Sequence, residues 1–326
     1  MINSPLDTRT FRAAALFILF APFSLSLATA QGPSSGDDAS AYIRVFKDSK
    51  GRQIALQTAI ATFKAPKTGH KVALIAAVHI GTESYYTTLN KIFQNYDYVL
   101  YEMVTDGDVK GAKLKTEAKE IPTDSDLGDV ELDEQTKEPK RGLGASLVSG
   151  MQTTLADFLG LSLQMRGVDY TRSNMLHADL SWEGLQELMQ RRNESWLGLL
   201  LKLYQSALKA ELSSGGSSNA AASSMFVGLF HPSFEKRLLF RRRAFTAGIM
   251  GSPDMAATLV GDCALIGGRN DRALAVLSEE IKKAKTPKSF AIFYGAGHMG
   301  DFERKLIANF SLDKKNVSWL DAWPLR

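Results

Sequence analysis

The chain has 326 residues, of which 44% are hydrophobic and 23% charged. That is enough apolar material for one large core, or two domains at most, and it excludes a chain disordered throughout. The formal net charge of +4 is small for this length and excludes the concentrated basic face that nucleic acid requires; the one cluster, Arg241-Arg242-Arg243, follows an apolar pair and reads as capping or solvating a helix.

The first element is an address. Arg9 and Arg12 precede the apolar run Ala13 to Leu27, and Ala28-Thr29-Ala30 then supplies small residues. This pattern predicts a secretory signal peptide over residues 1–30, cut after Ala30. Pro22 and the short run argue against an uncleaved anchor, since a span needs roughly 20 apolar residues. The expected location is therefore exported, periplasmic or secreted, with no stable membrane insertion after cleavage. Residues 31–40 read as a flexible lead-in, and residues 41–326 as a single α/β domain. Trp196 to Tyr204 is apolar but short, and Lys202 interrupts it.

Ala41 to Phe46, a turn at Lys50-Gly51, and the alternating stretch Gln53 to Phe63 predict a hairpin. Val72 to Val78 is an almost unbroken apolar run ending at His79, as in a strand buried on both faces. Ser84 to Gln94 has helical spacing, with Tyr85, Leu89, Ile92 and Phe93 on one face, and Asp97 to Met103 is the next strand. Residues 105–142 are rich in Lys, Glu, Asp, Gly and Pro and predict an exposed, mobile insertion. A helix is expected over Ser146 to Met165, then a short strand at Arg166 to Tyr170. A long helix through Leu208 follows, capped by Ser181 or Asp179, and then a loop at 212–225. Phe234 to Met250 reads as a basic helix. Thr258 to Ile266 reads as a buried strand, which makes the single cysteine, Cys263, a buried structural thiol and leaves no internal disulfide. The chain ends in a helix (Asp271 to Lys283), a strand (Ser289 to Tyr294), Gly295-Ala296-Gly297-His298, a helix (Asp301 to Phe310) and a strand (Val317 to Leu320).

A weak repeat runs through this order. His79 is followed by a glycine, a helix, a strand and then Glu102; His298 is followed by a glycine, a helix, a strand and then Asp321, at the same spacing. The expected architecture is α/β, a central mixed sheet with flanking helices, in two pseudo-symmetric strand–helix–strand halves around a shared site. Ligands bind outside the carboxyl ends of strands in such sheets. There a neutral imidazole can bind a metal, take a proton or polarise an oxygen, and the following helix N-terminus offers free N–H donors. A carboxylate ending an apolar strand, as Glu102 does, is costly unless it meets a cation, a metal or several donors. It could serve as metal ligand or general base, or form an ordinary ion pair. Asp321 is either its counterpart or a surface residue among closing tryptophans. Asp179 reads as a helix cap, His177 as a loop residue and Asn270 as a helix N-cap. His70 and His231 are expected in exposed turns. Glu83 sits at a helix start, where it favours the dipole and could also face the site.

His79 with Glu102, the Gly267-Gly268-Arg269-Asn270 turn and Gly295-Ala296-Gly297-His298 together resemble the TraB/TIKI/PrgY family, which belongs with the erythromycin-esterase-like and ChaN-like proteins. The family pattern is two Gly-x-x-His motifs, a glutamate after the first and an arginine before the second. The similarity spans roughly residues 70–104 and 255–325, with a looser match over 146–190. One departure is Ala76, where the family has glycine. The resemblance implies a site between two similar halves and an exported hydrolase acting on peptide or ester bonds. In its metal-dependent form His79, Glu102 and His298 would hold zinc, manganese or cobalt. Arg269 would then stabilise developing negative charge or act as a structural fork pairing Glu102 or Asp321. The alternatives it implies are a metal-free His/Glu hydrolase, or a non-catalytic protein that binds or sequesters a peptide or haem, with histidine as axial ligand. The implied partner is a peptide or small ester substrate, and the function lives in the site rather than in the fold.

Overall fold

A computed structural model of the chain describes residues 39–104, 153–194, 231–250 and 264–326. The expected signal peptide, the lead-in up to residue 38, the insertion 105–142, the loop 212–225, the apolar stretch Trp196 to Tyr204 and Cys263 lie outside the described residues.

The architecture is α/β, a mixed central sheet flanked by helices. The hairpin forms from β1 (Ile43–Lys47) and β2 (Gln53–Lys64), paired antiparallel. The apolar run forms β3 (Lys71–Ala77), antiparallel to β2 and parallel to β8 (Ser289–Gly295). β8 lies between β3 and β5 (Tyr98–Tyr101), which pairs on its far side with β7 (Met175–His177), all in parallel. β9 (Asp313–Pro324) joins the other edge of β2, antiparallel to it. A two-residue bridge, β4 (Ile80–Gly81) with β6 (Ser162–Leu163), forms a separate small sheet.

Alternation along the parallel strands builds two cores. Ala73, Ile75 and Ala77 of β3, with Ala291 and Phe293 of β8, face helix α1 (Glu83–Phe93) through Tyr85, Tyr86, Leu89 and Phe93. Val72, Leu74 and Ala76, with Phe290, Ile292 and Tyr294, face the opposite side. There they meet α5 (Arg269–Lys283) and α6 (Met299–Phe310) through Leu274, Leu277, Phe302 and Leu306. Burial on both faces explains why β3 and β8 read as continuous apolar runs, and each fully buried Leu or Phe contributes about 1.5–3 kcal/mol. From β3 the chain crosses through α1 over β8 to β5. From β8 it returns through α6 past β3 and β2 to β9. The two crossovers leave in opposite directions with their helices on opposite faces, so the gap between β3 and β8 is a topological switch point, the place where α/β sheets bind ligands.

The remaining helices include α2 (Gln164–Gly167), α3 (Trp182–Arg191) and α4 (Phe234–Met250), besides a helical stretch described over residues 153–159. Several expectations are corrected here. The helix expected to Met165 stops before Gly160, whose φ of 60° suits glycine and ends helical hydrogen bonding; β6 and α2 follow instead of a strand at 166–170. The helix expected through Leu208 ends at Arg191, and Asn193 turns left-handed at φ 55°. Ser181, not Asp179, caps it, accepting from the Gly184 N–H at 3.1 Å. Ala264–Gly268, where a strand is expected to end at Ile266 and give way to a turn at Gly267-Gly268, is one π-helical turn leading into α5. Arg241, Arg242 and Arg243 do cap main chain: they donate to the carbonyls of Phe158, Leu159, Gly160 and Leu325. No helix among the described residues is long and apolar enough to cross a membrane.

The short helix α2 governs how β3 leaves the sheet. Its Gln164 N–H donates to the His79 carbonyl at 2.8 Å, and Asn90 of α1 donates to the Gly167 carbonyl at 2.8 Å. Gly167 lies so close to α1 that an added Cβ would fall 2.4 Å from the ring of buried Tyr86. Gly167→Ala is therefore expected to cost about 1–3 kcal/mol through overpacking, read as a lowered urea midpoint at unchanged slope.

Candidate functional site

At the carboxyl ends of β3, β8 and β5 the chain places His79, His298 and Glu102. Glu102 follows β5 directly and is buried. Its Oε2 accepts the Gly295 N–H at 2.6 Å, and its Oε1 accepts from Arg269 Nη2 at 2.8 Å. Arg269 opens α5 and reaches back to the sheet, donating from Nε and Nη2 to Asp179 at 2.9 and 2.5 Å. One guanidinium thus bridges two buried carboxylates, whose side chains are 8% and 0% exposed. Burial pushes the Glu102 carboxyl up, but interactions with His298, Arg269 and His79 and the Gly295 N–H outweigh it and hold it well below the usual range. Burial opposes the Arg269 charge, yet Glu102 and Asp179 together hold it above its ordinary value.

His298 ends a short 3-10 turn after β8 and is buried. Its Nδ1 lies 2.6 Å from Asn270 Oδ1, and its Nε2 lies 3.5 Å from Glu102 Oε1. Burial is the largest influence and lowers the imidazole to about 4, against the partial opposition of Glu102, so the ring is neutral at pH 7. His79, by contrast, is exposed. A Cβ placed on Gly295 would lie 3.4 Å from Glu102 Oε2, 3.7 Å from His298 Cδ2 and 4.0 Å from His79 Nε2. The absent side chain of Gly295 therefore leaves a methyl-sized space bordered by all three groups, open toward solvent on the His79 side.

Around this space stand residues that sequence reasoning missed. Tyr170 packs its ring at a tilt against Tyr101, centroids 4.9 Å apart, and accepts from Gln164 Nε2 at 3.0 Å. Burial, opposed by that hydrogen bond and reinforced by Glu102, keeps its phenol protonated. Asp179 is the larger correction. It is no helix cap but the buried anchor of Arg269. The apolar stretch Met175-Leu176-His177-Ala178 before it carries the same signal that marked Glu102, a carboxylate closing a strand. His177 ends β7 rather than lying in a loop, and its Nε2 donates to the Met103 carbonyl at 2.6 Å. Asn270 does not cap its helix; its amide meets His298 and Asp301.

Other expectations fall outside the cluster. Asp321 lies at the same sheet edge, opposite Gln57 in β9, but two strands away from β3; it is exposed and accepts from Gln57 Nε2 at 2.7 Å. Glu83 is exposed at the start of α1, which β4 and the Thr82 cap separate from His79. His70, expected to be exposed, is buried, its ring tilted against Phe290, and it accepts the Lys288 N–H at 3.0 Å. His231 is half-buried, its Nδ1 accepting the Ser233 N–H. Among the described residues no group of three His, Cys, Asp or Glu is close enough together to form a ready metal site. His298 and Glu102 alone do fit, since two ligand atoms about 2 Å from one tetrahedral ion lie roughly 3.4 Å apart.

No family model matches the chain, and neither the curated proteins nor the solved structures searched include a similar one.

Proposed function

We propose that this chain is an exported hydrolase of peptide or ester bonds, built on the TraB/TIKI-like histidine–glutamate cluster. The observation that carries the reading is the 3.5 Å separation of His298 Nε2 and Glu102 Oε1, beside the space over Gly295; with the imidazole proton on Nδ1, toward the Asn270 oxygen, both atoms are acceptors. A water there donates one proton to each acceptor and turns its lone pairs outward, as a nucleophile requires. Exposed His79, at the mouth, is placed to polarise the carbonyl that the water attacks. Arg269 holds Glu102 ionised and oriented; with Nε and Nη2 committed to Asp179 and Glu102, its role here is to position rather than to meet substrate.

The same pair supports a metal-assisted form. A divalent ion between His298 and Glu102 would satisfy both acceptors and lower the pKa of the bound water. His79 would complete the set by turning inward. Arg269 on the same carboxylate oxygen opposes that cation, so the water-activating form is the one the geometry favours more.

The test is turnover of a panel of peptides and esters by the purified chain, with zinc, manganese or cobalt added and with chelator. Gly295→Ala should reduce turnover about 100-fold or more, because displacing a reacting water by even 1 Å has that effect. Its melting temperature should match wild type, since every contact of the added methyl is 3.4 Å or longer. Equal turnover in the variant, or no turnover with binding of haem or peptide instead, would overturn the hydrolase reading.

A further inference from the structure

Behind His298, away from the substrate side, a buried polar chain runs through Asn270 to Asp301. Asn270 is fully buried and Asp301 is 4% exposed. The Asn270 Nδ2 donates to the Asp301 carboxylate at 2.9 Å and to the His298 carbonyl at 3.1 Å. Both partners can only accept, so the amide can take only one orientation. Asp301 is held ionised: burial raises its carboxyl, but Lys305, Asn270 and Arg304 outweigh burial and lower it. Lys305 lies 2.7 Å from its Oδ2 and also binds Asp271.

The amide oxygen that remains faces His298 Nδ1 at 2.6 Å. It too can only accept, so the proton of the neutral imidazole must lie on Nδ1. That leaves Nε2 bare, aimed at the Glu102 carboxylate. Glu102 on its own would favour the opposite tautomer, with Nε2–H donating to it. We infer that Asp301 and Asn270 are positioning residues that impose the Nδ1–H tautomer on His298 and so keep Nε2 free as an acceptor in the pocket. Asp301 acts through Asn270, by joining the His298 carbonyl in demanding the NH2 side of its amide. The inference deepens the hydrolase reading and rests on it for its purpose, while the tautomer itself can be observed without any turnover.

The experiment is the 15N spectrum of ring-labelled histidines in the full chain near pH 7. The chain has five histidines, and the His298 signals are identified by their loss in His298→Gln. Wild type should show protonated Nδ1 and bare Nε2 at His298. In Asn270→Leu, which removes the acceptor at Nδ1, the pattern should reverse to Nε2–H donating to Glu102. Asn270→Gln, which keeps an amide behind the ring, should retain the wild-type pattern. A packing role for Asn270 alone would move none of these signals between tautomers. Protonated Nε2 in wild type overturns the inference even where hydrolysis is found, and it does so whether or not the variants fold. An unchanged tautomer in folded Asn270→Leu also overturns it. The expected pattern supports it even where the substrate panel gives no turnover.

Discussion

Arg269→Met is expected to lower the stability of the fold by about 3–5 kcal/mol at pH 7, the range for removing one partner from a buried ion pair. The reason is what stays behind. Asp179 and Glu102, 0% and 8% exposed at their side chains, would then share a buried pocket without the guanidinium that bridges them. Methionine preserves most of the arginine's apolar stem, so the loss reports charge rather than volume. The deficit should also shrink on acidification. Without Arg269, protonating one carboxylate relieves the pair, so the folded form gains protons more readily than the unfolded chain, and lower pH favours it. Urea unfolding of wild type and variant at pH 7 and pH 5 measures both effects. A difference under about 1 kcal/mol at pH 7 would show that the pair is relieved by solvent, and a difference that grows at pH 5 would contradict the sign.

Wild-type stability is expected to fall between about pH 6.5 and pH 4, by on the order of 3 kcal/mol, through His298 alone. The imidazole titrates near its ordinary value of 6.5 in the unfolded chain and is lowered to about 4 when folded. In that window the unfolded chain binds a proton that the folded chain refuses. The stabilisation is complete above pH 6.5, declines steadily below it and levels off under pH 4. Glu102, whose folded value is depressed, adds its own loss only below the ordinary carboxylate range, so the two contributions separate on the pH axis. His298→Gln removes the first and weakens the second, since His298 is the largest influence lowering Glu102 while Arg269 and the Gly295 N–H remain. Subtracting the variant's stability curve from that of wild type should leave a slope across pH 4–6.5, with any further slope below it reporting the share of the Glu102 depression that came from His298. A flat difference would mean that His298 takes up its proton as readily folded as unfolded.

Both results turn on residues whose visibility in the sequence was unequal. His79, Glu102 and His298 each end or closely follow an apolar strand, and a polar group at the end of a buried run stands out because its burial is costly. Asp179 carries the same signal. A nearby serine and tryptophan at a helix start offered a cheaper local explanation, and only the pairing of β5 with β7 brings its carboxylate to Arg269. Asn270 likewise reads as a cap at a helix start. What it meets instead is set by α6, which lies 28 and more residues further along the chain. Asp321 illustrates the limit of spacing arguments. Equal separation from the preceding histidine places it at the correct edge of the sheet, but β2 enters between β3 and β9, and lateral position in a sheet is not encoded in distance along the chain.

The sequence by itself determined the elements that local chemistry controls: the hairpin, the doubly buried β3 and β8, the amphipathic α1, α5 and α6, and the histidines that close two strands. Periodicity of side chains and the cost of burying polar groups act within a few residues, so they can be read along the chain. Tertiary structure alone decided which charges meet. It made Arg269 the bridge between Glu102 and Asp179, put His79 at the mouth and His298 inside, and aimed Asn270 at an imidazole instead of a helix end. Those outcomes depend on strand order and helix docking, which bring together groups scores of residues apart. In a buried setting, electrostatic partners are fixed by distances of a few ångströms that no local pattern specifies.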